Sequence, residues 1–596
     1  MKKAETSRFE PRYLRLRLPR VCVAVFGREA SELLDKAEAL AEREEQFLEF
    51  RLDYLAKPQA AIPALKQWIE QHRQVTLIGT CRRADNGGQF KGGVGAQFEI
   101  LLQAAEAGFQ IIDVEVETAE ELKPAQFQAL RDKTAILISS HDYKQTKNLE
   151  EAYQRILDSG PADIVKVIST ARSLSDNITM MHLVQEHSQR IMMVGGCMGE
   201  QGIISRILTA RAGSAFTFAS GAEGEETAPG QIAARTLRSV YRIETIDPAT
   251  KVYGVAADPV QHSLSPLMLN AALRRENVNA VYLPLHVKKM DDLLTCIREL
   301  PIHGISVTMP YKQEILEHLD KTDEITTKIG ACNTVLRGSD GKLYGFNTDV
   351  AGVLRPLEQR VPLQGLRVLV LGAGGAARAA VFGLRGRGAE VCIYNRTAPT
   401  AQKLARQADA KTISRANLAK TPFDVIIHAT PVGMDGKSAL LEAKELNAKY
   451  LFEMVYSPAE TPLVRMAREK GMQIIPGAEM FVHQGARQFE IWTAKPAPVD
   501  EMYRIVLHAL ARRAQQSAPK AAAGKQIETS VKQVATTPKH VETAAKHVAT
   551  VAKKLETSAK QSPPAKTASK APAKPPAAKP AAKKPTHAKA AAKSKR

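Results

Sequence analysis

Lys166 is the residue whose position in the sequence points most directly to chemistry. It interrupts the apolar run Ile164-Val165-Lys166-Val167-Ile168, which is otherwise typical of a buried strand. Burial without a partner lowers the pKa of an amine, and imine formation with a ketone requires the neutral amine. His141 follows a neighbouring apolar run and adds a group that transfers protons. The pair predicts Schiff-base chemistry. The alternatives are a lysine whose stem reaches the surface and a hydrogen-bonded loop histidine.

Polar side chains also follow other apolar runs of the first 245 residues. Glu49 and Arg51 are two positions apart in one run, so their side chains share a face. Chemistry in a parallel α/β barrel sits at the carboxyl ends of its strands. The remaining candidates at such ends are Arg82, Arg206, Thr227 and Gln231.

A second set of polar residues follows residue 250. An apolar run leads into Ser263-Leu264-Ser265-Pro266, a pattern that is ordinarily a helix N-cap. A later run delivers Thr308 and Lys312 to one end of a strand, and two Asn-Thr turns, at Asn333 and at 347–348, precede Asp349.

A glycine-rich turn suggests a dinucleotide site. The apolar run 368–371 enters Gly372-Ala373-Gly374-Gly375-Ala376, although Ala377 stands where a third glycine is common and tight turns also use glycine for geometry alone. About 20 residues after such a turn, NAD enzymes place an acid and NADP enzymes an arginine. That place is occupied by Asn395-Arg396-Thr397, so NADP is the predicted cofactor.

The elements that position the first set are predicted to form an eight-unit barrel. Segments of helical character, such as 30–45 and 96–107, separate eight short apolar runs, which predicts parallel strands in a (β/α)8 barrel rather than an open doubly wound sheet. The runs are residues 21–25, 47–52, 75–79, 111–116, 135–138, 164–168, 191–194 and 215–218.

The first half resembles type I 3-dehydroquinate dehydratases. The motifs that carry the resemblance are Glu-Phe-Arg at 49–51, Thr-Cys-Arg at 80–82, Ser-His-Asp at 140–142, Val-Lys-Val at 165–167, Ile-Ser-Arg at 204–206 and Ala-Pro-Gly-Gln at 228–231. The resemblance implies that Lys166 forms an imine with 3-dehydroquinate and that His141 transfers protons. It further implies a carboxylate site at Arg206 and substrate contacts or site ordering by Glu49, Arg51, Arg82, Thr227 and Gln231.

This half departs from the family at two positions. Thr227 replaces a serine and keeps the hydroxyl, whereas Asn86 replaces a glutamate that supports the catalytic histidine. We expect Asp85, the neighbouring acid, to take over that support.

The second half, about residues 251–511, resembles shikimate dehydrogenases. The motifs are Ser-Leu-Ser-Pro at 263–266, Val-Thr-Met-Pro-Tyr-Lys at 307–312, Cys-Asn-Thr at 332–334, Asn-Thr-Asp at 347–349, the glycine turn and Gly-Ala-Glu-Met at 477–480. The resemblance implies that Lys312 and Asp349 form the catalytic pair. It implies shikimate or 3-dehydroshikimate binding by Ser263, Ser265, Thr308, Asn333, Asp349 and Gln484.

The same resemblance implies a nicotinamide site flanked by Met454, Tyr456 and Gly477. Thr400 occupies the position of a second phosphate-binding arginine, so preference for NADP over NAD is expected to be weaker than usual unless Lys403 compensates.

These patterns predict four regions. They are a dehydratase barrel at 15–243, a substrate-binding domain at 250–350 completed by 481–511, a Rossmann NADP-binding domain at 351–480 and a disordered tail at 513–596. Residues 243–249 are expected to form a short linker. The two predicted reactions are consecutive, since the first makes 3-dehydroshikimate and the second reduces it to shikimate.

Charge is concentrated in the tail. Residues 513–596 carry 19 Lys and Arg against 3 acidic residues, whereas the other 512 residues carry 64 against 60. The tail contains a 14-residue repeat and no aromatic residue. A solubilising extension and an electrostatic arm for nucleic acid or another polyanion both fit this composition.

The six cysteines are far apart, without the spacing of metal ligands, which predicts reduced thiols, no structural metal and a cytoplasmic protein. No apolar stretch is long enough to predict a membrane span. The rival hypotheses are that one half is an inactive scaffold, that the chain is a nucleic-acid-binding protein, and that an aldolase barrel is joined to another dehydrogenase.

Overall fold

The computed structural model of the protein describes residues 18–261 and 263–517. Among these residues, none of the helices combines the length and the apolar character needed to cross a membrane. The predicted tail falls outside the described residues except for its first five, which belong to the final helix, Val499–Ser517. The predicted tail boundary at residue 513 was therefore wrong, because the helix continues past it.

The first sheet forms the predicted barrel. Its strands follow the order β7-β6-β5-β4-β3-β2-β1-β8-β9, and all of its ladders are parallel. Ala215 N–H donates to Met193 O at 2.8 Å and joins β7 to the segment that leads into β8. The strands are β1 Val21–Val25, β2 Phe47–Arg51, β3 Thr76–Thr80, β4 Ile111–Glu115, β5 Ala135–His141, β6 Ile164–Thr170, β7 Met192–Met198, β8 Thr217–Ser220 and the unpredicted β9 Ile232–Ala233.

Helices cover the outside of this barrel. They bury one apolar stripe each against strands that are buried along nearly their whole length, which is why the strands appear in the sequence as continuous apolar runs. The helices are α1 Ala30–Ala41, α2 Pro58–Gln71, α3 Val94–Ala107, α4 Val116–Ala119, α5 Pro124–Arg131, α6 Leu149–Ser159, α7 Asp176–His187, α8 Ser205–Ala212 and α9 Ala234–Ser239.

The second sheet is mixed, with the order β11-β10-β12-β14-β15-β13. Strands β10, β11 and β12 are parallel, and β14 runs antiparallel to both β12 and β15. The strands are β10 Lys251–Ala257, β11 Ala280–His286, β12 Ile302–Val307, β13 Lys321–Thr322, β14 Thr334–Arg337 and β15 Leu343–Phe346; the helices are α10 Ser265–Arg275, α11 Met290–Glu299, α12 Glu324–Ile329 and α13 Asp349–Glu358.

The third sheet is entirely parallel, with the order β18-β17-β16-β19-β20-β21. This is the doubly wound arrangement in which the strand order reverses between β16 and β19. The strands are β16 Arg367–Leu371, β17 Glu390–Tyr394, β18 Lys411–Thr412, β19 Phe423–His428, β20 Ala448–Glu453 and β21 Gln473–Ile475; the helices are α14 Gly375–Arg385, α15 Ala398–Ala408, α16 Arg415–Leu418 and α17 Pro462–Glu469. The last two helices, α18 Gly477–Thr493 and α19 Val499–Ser517, pack on the second sheet, where Trp492 stacks on Tyr253. A barrel followed by a mixed-sheet domain and a Rossmann domain confirms the predicted fold class.

The segment between the barrel and the second sheet is part of the core. Ile243 is 1% exposed and Ile246 is 3% exposed, and both belong to a hydrophobic cluster that includes residues of the barrel and of the second sheet. Polar contacts cross the same boundary, for example from Gln261 Nε2 to Glu200 Oε2 at 3.1 Å. The expected linker is therefore a packed join, because its two isoleucines are buried.

Candidate active sites

A cavity of about 200 Å³ opens at the carboxyl ends of the barrel strands. It brings together all eight residues that the sequence singled out in this half. Its lining includes Glu49, Arg51, Arg82, His141, Lys166, Arg206, Thr227 and Gln231.

Lys166 is buried in this cavity, but it has partners. Its Nζ lies 2.8 Å from Asp113 Oδ2 and 3.9 Å from Glu49 Oε1, and it stands over the ring of Phe218 at 4.0 Å. The premise of an unpartnered amine was therefore wrong, because Asp113 supplies a carboxylate. Burial opposes ionisation of Asp113, yet Lys166 and Arg82 hold its pKa at about 2.

Asp113 was missed from the sequence, although a signal was present. It interrupts the apolar strand β4 much as Lys166 interrupts β6, and Glu115 follows it on the same face. A buried acid and a buried base in two apolar strands of one barrel can be expected to form an ion pair, since each needs a counter-charge.

His141 is held by Arg82. Arg82 Nη1 lies 3.1 Å from His141 Nδ1, and Arg82 Nη2 lies 3.1 Å from Asp113 Oδ2. Burial and the cations of Arg82 and Lys166 lower the pKa of His141 well below its ordinary value of 6.5. The imidazole is thus kept neutral in a positively charged surrounding.

Asp85 does not support His141. It is exposed and makes no hydrogen bond among the described residues, so that expectation was wrong. The loop that carries Asn86 is instead tied to Tyr143, whose hydroxyl donates to Asn86 O at 2.8 Å and whose ring stacks at 6.0 Å from that of His141.

Arg206 offers an open anion site. Its Nη2 donates to Pro229 O at 3.2 Å, but its buried Nε has no hydrogen-bond partner within the described chain. Burial lowers the pKa of Arg206 to about 10, and a bound carboxylate would satisfy both the charge and the free N–H.

The other polar residues of the cavity are partly committed to the protein. Arg51 makes a bidentate pair with Asp53 at 2.9 and 2.8 Å, and Thr80 donates to Glu49 at 2.8 Å. The backbone N–H of Thr227 donates to Gln231 Oε1 at 2.8 Å, which leaves the amide nitrogen of Gln231 as a donor.

In the second half, Lys312 and Asp349 form an ion pair. Lys312 Nζ lies 2.6 Å from Asp349 Oδ2, and Asn333 Nδ2 donates to the other carboxylate oxygen at 2.8 Å. Asp349 opens α13 and is 4% exposed, whereas Lys312 is half-buried. A methyl group on Gly375 would lie 4.0 Å from Lys312 Cδ, so this pair borders the glycine turn.

A buried network that the sequence analysis missed supports Asn333. Tyr282 donates to Ser306 at 2.6 Å, Ser306 donates to Gln488 at 2.8 Å, and Gln488 donates to Asn333 O at 3.1 Å. Asn333 Oδ1 accepts from Thr348 N–H at 2.7 Å. The side chain of Asn333 is thus used to hold Asp349.

The remaining substrate candidates lie near the ends of strands and in helices of the second half. Ser263 Oγ accepts from Ser265 N–H at 3.2 Å just before α10, but the N-cap residue of α10 is Leu264, which makes no side-chain cap hydrogen bond. Thr308 follows β12 and donates its N–H to Ala256 O at 3.2 Å. Gln484 lies in α18 and its amide donates to Phe481 O at 2.9 Å.

The glycine turn after β16 is shaped for a close ligand. Gly372 has φ of 115°, and a Cβ there would lie 2.8 Å from Ala429 O, whereas a Cβ on Gly374 would meet nothing within 4 Å. Ala373 and Ala376 are half-buried beside these glycines. The turn therefore leaves room at the amino end of α14, where backbone N–H groups and the helix dipole favour a phosphate.

The segment after β17 carries the predicted 2′-phosphate residues. Arg396, Thr397 and Thr400 are exposed, and Asn395 Nδ2 donates to Thr397 O at 3.0 Å. Within the described ranges, no ion pair engages the guanidinium of Arg396, which leaves its charge free for a ligand.

The predicted nicotinamide residues follow β20 and open α18. Met454 N–H donates to His428 O at 3.0 Å, and Tyr456 stacks on Phe481 at 5.0 Å. A Cβ on Gly477 would lie 2.6 Å from Met454 O, so glycine permits this close approach.

Four protein-family models match separate parts of the chain. The family model of type I 3-dehydroquinase matches residues 21–248, and that of the shikimate dehydrogenase substrate-binding domain matches 255–335. The model of shikimate/quinate 5-dehydrogenase matches 357–448, and that of the shikimate 5′-dehydrogenase C-terminal domain matches 477–507.

Among relatives, a chloroplastic bifunctional 3-dehydroquinate dehydratase/shikimate dehydrogenase of Arabidopsis thaliana is 34% identical over 517 residues, which is 82% of this chain and 84% of that protein. The shikimate dehydrogenase (NADP(+)) of Pyrococcus furiosus is 38% identical over 45% of this chain and 99% of its own length. A crystal structure of Thermus thermophilus shikimate 5-dehydrogenase in complex with NADP(H) and shikimate is 34% identical and covers 44% of this chain and 100% of its own, with a TM-score of 0.41.

Proposed function

Because the chain belongs to the family of bifunctional 3-dehydroquinate dehydratase/shikimate dehydrogenases, we propose that it catalyses two consecutive reactions. The barrel dehydrates 3-dehydroquinate to 3-dehydroshikimate through an imine on Lys166. The second half reduces 3-dehydroshikimate to shikimate with NADPH.

The observation that carries the first proposal is that a buried amine, Lys166, and an imidazole, His141, line one small cavity. Lys166 Nζ attacks the ketone carbon and releases water as the imine forms. The imine withdraws electrons from the neighbouring C–H bond, so a base can remove that proton while the hydroxyl on the next carbon leaves as water. Hydrolysis of the imine consumes one water and restores Lys166, and the net change is the loss of one water.

Asp113 and Glu49 hold Lys166 before substrate binds. Their carboxylate oxygens lie 2.8 and 3.9 Å from Nζ, so we propose that Lys166 must leave Asp113 to reach the ketone. Asp113 then serves as the counter-charge of a protonated imine, which is a positive group at the same place.

His141 is proposed as the proton-transfer group, and Arg82 as its switch. Because Arg82 occupies Nδ1, His141 acts as a base there only when Arg82 turns to the substrate. Arg206, with its free N–H, is proposed to bind the substrate carboxylate. Glu49, Arg51, Thr227 and Gln231 are proposed to bind ring hydroxyls or to order the cavity.

For the second reaction, the Lys312–Asp349 pair is proposed to transfer the proton. The ammonium of Lys312, held by Asp349, donates to the ketone oxygen as it is reduced, and Asp349 keeps the lysine oriented. Ser263, Ser265, Thr308, Asn333 and Gln484 are proposed to surround the carboxylate and hydroxyls of the substrate.

The residues present fit NADP. Bound NADPH supplies the hydride. The glycine turn 372–376 leaves space for a diphosphate, and Asn395, Arg396, Thr397 and Thr400 are proposed to bind the 2′-phosphate. Met454, Tyr456 and Gly477 are proposed to flank the nicotinamide. Arg396 favours NADP over NAD, because no ion pair with another described residue engages its charge.

The test supplies 3-dehydroquinate and NADPH to the purified full chain and follows the formation of shikimate. Borohydride added with 3-dehydroquinate is expected to attach one ligand mass to the peptide that carries Lys166, and a label elsewhere would contradict the assignment. Lys166→Ala is expected to abolish dehydration and leave the reduction of added 3-dehydroshikimate intact. Lys133→Ala, on the barrel surface, is the control. Reduction without dehydration by the unmodified chain would support the rival in which the barrel is an inactive scaffold.

The cytoplasmic location stays a proposal. All six cysteines are free thiols, which agrees with a reducing compartment, but the relative from Arabidopsis is chloroplastic. The tail is proposed to be either a solubilising extension or an electrostatic arm for polyanions.

A further inference from the structure

A buried chain of hydrogen bonds lies at the reversal point of the third sheet. His428 ends β19 and Glu453 ends β20, and the two residues face each other across the ladder. Their side chains are each 1% exposed. His428 Nδ1 lies 2.9 Å from Glu453 Oε1, and His428 Nε2 lies 2.6 Å from Thr430 Oγ1. We call Glu453, His428 and Thr430 the relay.

The partners determine where the hydrogens of the relay lie. A carboxylate only accepts, so His428 Nδ1 carries a hydrogen. The Thr461 hydroxyl and the Val455 N–H also donate to Glu453, at 2.8 and 3.0 Å, so both carboxylate oxygens are satisfied. In the neutral ring Nε2 then accepts, so Thr430 Oγ1, which accepts from Val432 N–H at 3.3 Å, donates its own hydrogen to Nε2. Thr430 therefore has a lone pair left and no hydrogen to donate.

The relay leads from the interior to the predicted cofactor crevice. In doubly wound sheets, ligands bind outside the carboxyl ends of the strands where the strand order reverses, which here is between β16 and β19. A Cβ on Gly372 would lie 2.8 Å from Ala429 O and 3.1 Å from Thr430 Cγ2, so Thr430 borders the glycine turn. Thr430 is partly exposed, whereas His428 and Glu453 are buried.

The same residues also contact the backbone of Met454 and Gly477, which are predicted to flank the nicotinamide. His428 O accepts from Met454 N–H, and a Cβ on Gly477 would lie 2.9 Å from Glu453 O. Burying an ionisable pair costs free energy, and apolar residues of similar volume often serve stability as well or better. Stability alone therefore does not explain why this pair is buried, whereas its position next to the predicted cofactor crevice suggests a functional role.

We propose that the relay is a positioning device for hydride transfer, in which Glu453 and His428 fix Thr430 as a hydrogen-bond acceptor. The group that it accepts from is an N–H or O–H on the nicotinamide half of NADPH, either the carboxamide or a ribose hydroxyl. This inference rests on the proposed reduction by the second half. His428 and Glu453 are positioning residues, since they act through Thr430.

The test compares Thr430→Val, Thr430→Ser and His428→Asn in the full chain. Thr430→Val is expected to lower kcat/KM for NADPH about tenfold, the loss of one hydrogen bond, with the KM for 3-dehydroshikimate unchanged. Thr430→Ser keeps the hydroxyl and is expected to stay within about twofold of the unmodified chain. His428→Asn is expected to match Thr430→Val, and the double variant to be no worse than either, because both changes break one unit.

Glu445→Gln is the matched control. Glu445 is a buried carboxylate that precedes the other end of β20 and pairs with Arg415 at 2.9 Å. This variant is expected to lower the melting temperature without a change in kcat/KM for NADPH. The dehydratase rate of every variant reports whether the rest of the chain is folded.

An NADPH analogue with an acetyl group in place of the carboxamide separates the two donors. If Thr430→Val loses the preference for NADPH over the analogue, the donor is the carboxamide; if the preference persists while kcat/KM falls, it is a ribose hydroxyl. The relay would be refuted if the losses in kcat/KM of Thr430→Val and His428→Asn add up in the double variant. It would also be refuted if these variants only lower the melting temperature and leave the kinetics unchanged. No reduction by the unmodified chain would instead refute the proposed reductase function.

Discussion

Arg82 donates a hydrogen bond to His141, with 3.1 Å between Nη1 and Nδ1. A guanidinium has no acceptor, so Nδ1 must accept, and the hydrogen of the neutral ring is on Nε2. In this state His141 presents a hydrogen-bond donor at Nε2, whereas its basic nitrogen is occupied. The position of one arginine therefore decides whether Nδ1 can accept a proton from the substrate.

Arg82→Gln is expected to move the acid limb of kcat/KM for dehydration to higher pH. Burial and then Arg82 are the largest causes of the lowered pKa of His141, so removal of the cation raises that pKa towards 6.5. Since the base form is lost as pH falls through the pKa, activity declines earlier on acidification. The measurement is the pH profile of kcat/KM.

Arg206→Gln controls for loss of a cation from the same cavity. It is expected to weaken substrate binding and leave the acid limb in place, because Arg206 is not among the causes of the shift in His141. If the acid limb of the kcat/KM profile stays at the same pH in Arg82→Gln, Arg82 does not lower the pKa of His141.

Asp113 is expected to make barrel stability depend on acid pH. Its folded pKa of about 2 lies below its ordinary value of 3.8, so its contribution is fully present above 3.8 and is lost as pH falls through about 2. At about pH 3 the loss should reach about 1 kcal/mol. Asp113→Asn should be less stable than the unmodified protein at neutral pH and should lack this loss.

The measurement is the free energy of unfolding by denaturant in a Trp492→Phe background, in which Trp68 reports the barrel alone. If the free energy of unfolding changes with pH in the same way in the unmodified protein and in Asp113→Asn, the Asp113 carboxyl is not held ionised by Lys166.

Lys312 and Asp349 are expected to act as a unit. Lys312→Met and Asp349→Asn should each lower kcat for reduction about 100-fold or more, while NADPH affinity changes little. The double variant should be little worse than either single variant. Lys321→Met, an exposed lysine of the same domain, is the control. Additive losses would indicate independent roles.

Arg396→Ala is expected to weaken NADPH binding selectively. A charge-assisted hydrogen bond contributes about 1.5–3 kcal/mol, so affinity for NADPH should fall about tenfold or more with little change for NADH. Arg387→Ala, which removes a surface cation paired with Glu358, controls for net charge. Equal losses for both cofactors would rule out recognition of the 2′-phosphate by Arg396.

A chain that ends at Ser517, the last residue of α19, is expected to keep both activities. If the remaining residues form an electrostatic arm, the full chain should bind unrelated DNA duplexes with equal affinity and lose that binding steeply as salt rises. Binding by the shortened chain, or a sequence preference, would contradict the arm. No binding at low salt would favour the solubilising extension.

The backbone of the barrel was predictable because most of its strands are buried on both faces, whereas the short strands β13 and β18 of the second half are exposed and were not predicted. Continuous apolar runs therefore marked all eight barrel strands to within a few residues, and a polar residue inside or after a run marked a site. Lys166 was the clearest case. Its partner Asp113 lies 53 residues away in another strand, and local sequence does not show which buried acid meets which base.

The hydrogen-bond partners of the site residues were not predictable. The side chain of Asn333 bonds to Asp349 and Thr348, and the guanidinium of Arg51 bonds to Asp53. These bonds depend on loop geometry, since they join residues on different turns. For the same reason Asp85, next to the position expected to carry a glutamate, points to solvent.

The packed join between the halves limits how this protein can be divided. Ile243 and Ile246 are buried in one apolar cluster that includes residues from both sides. Cutting the chain next to these residues would place both side chains in water on one product and uncover apolar contacts on the other. The two halves are therefore expected to be less soluble apart than joined.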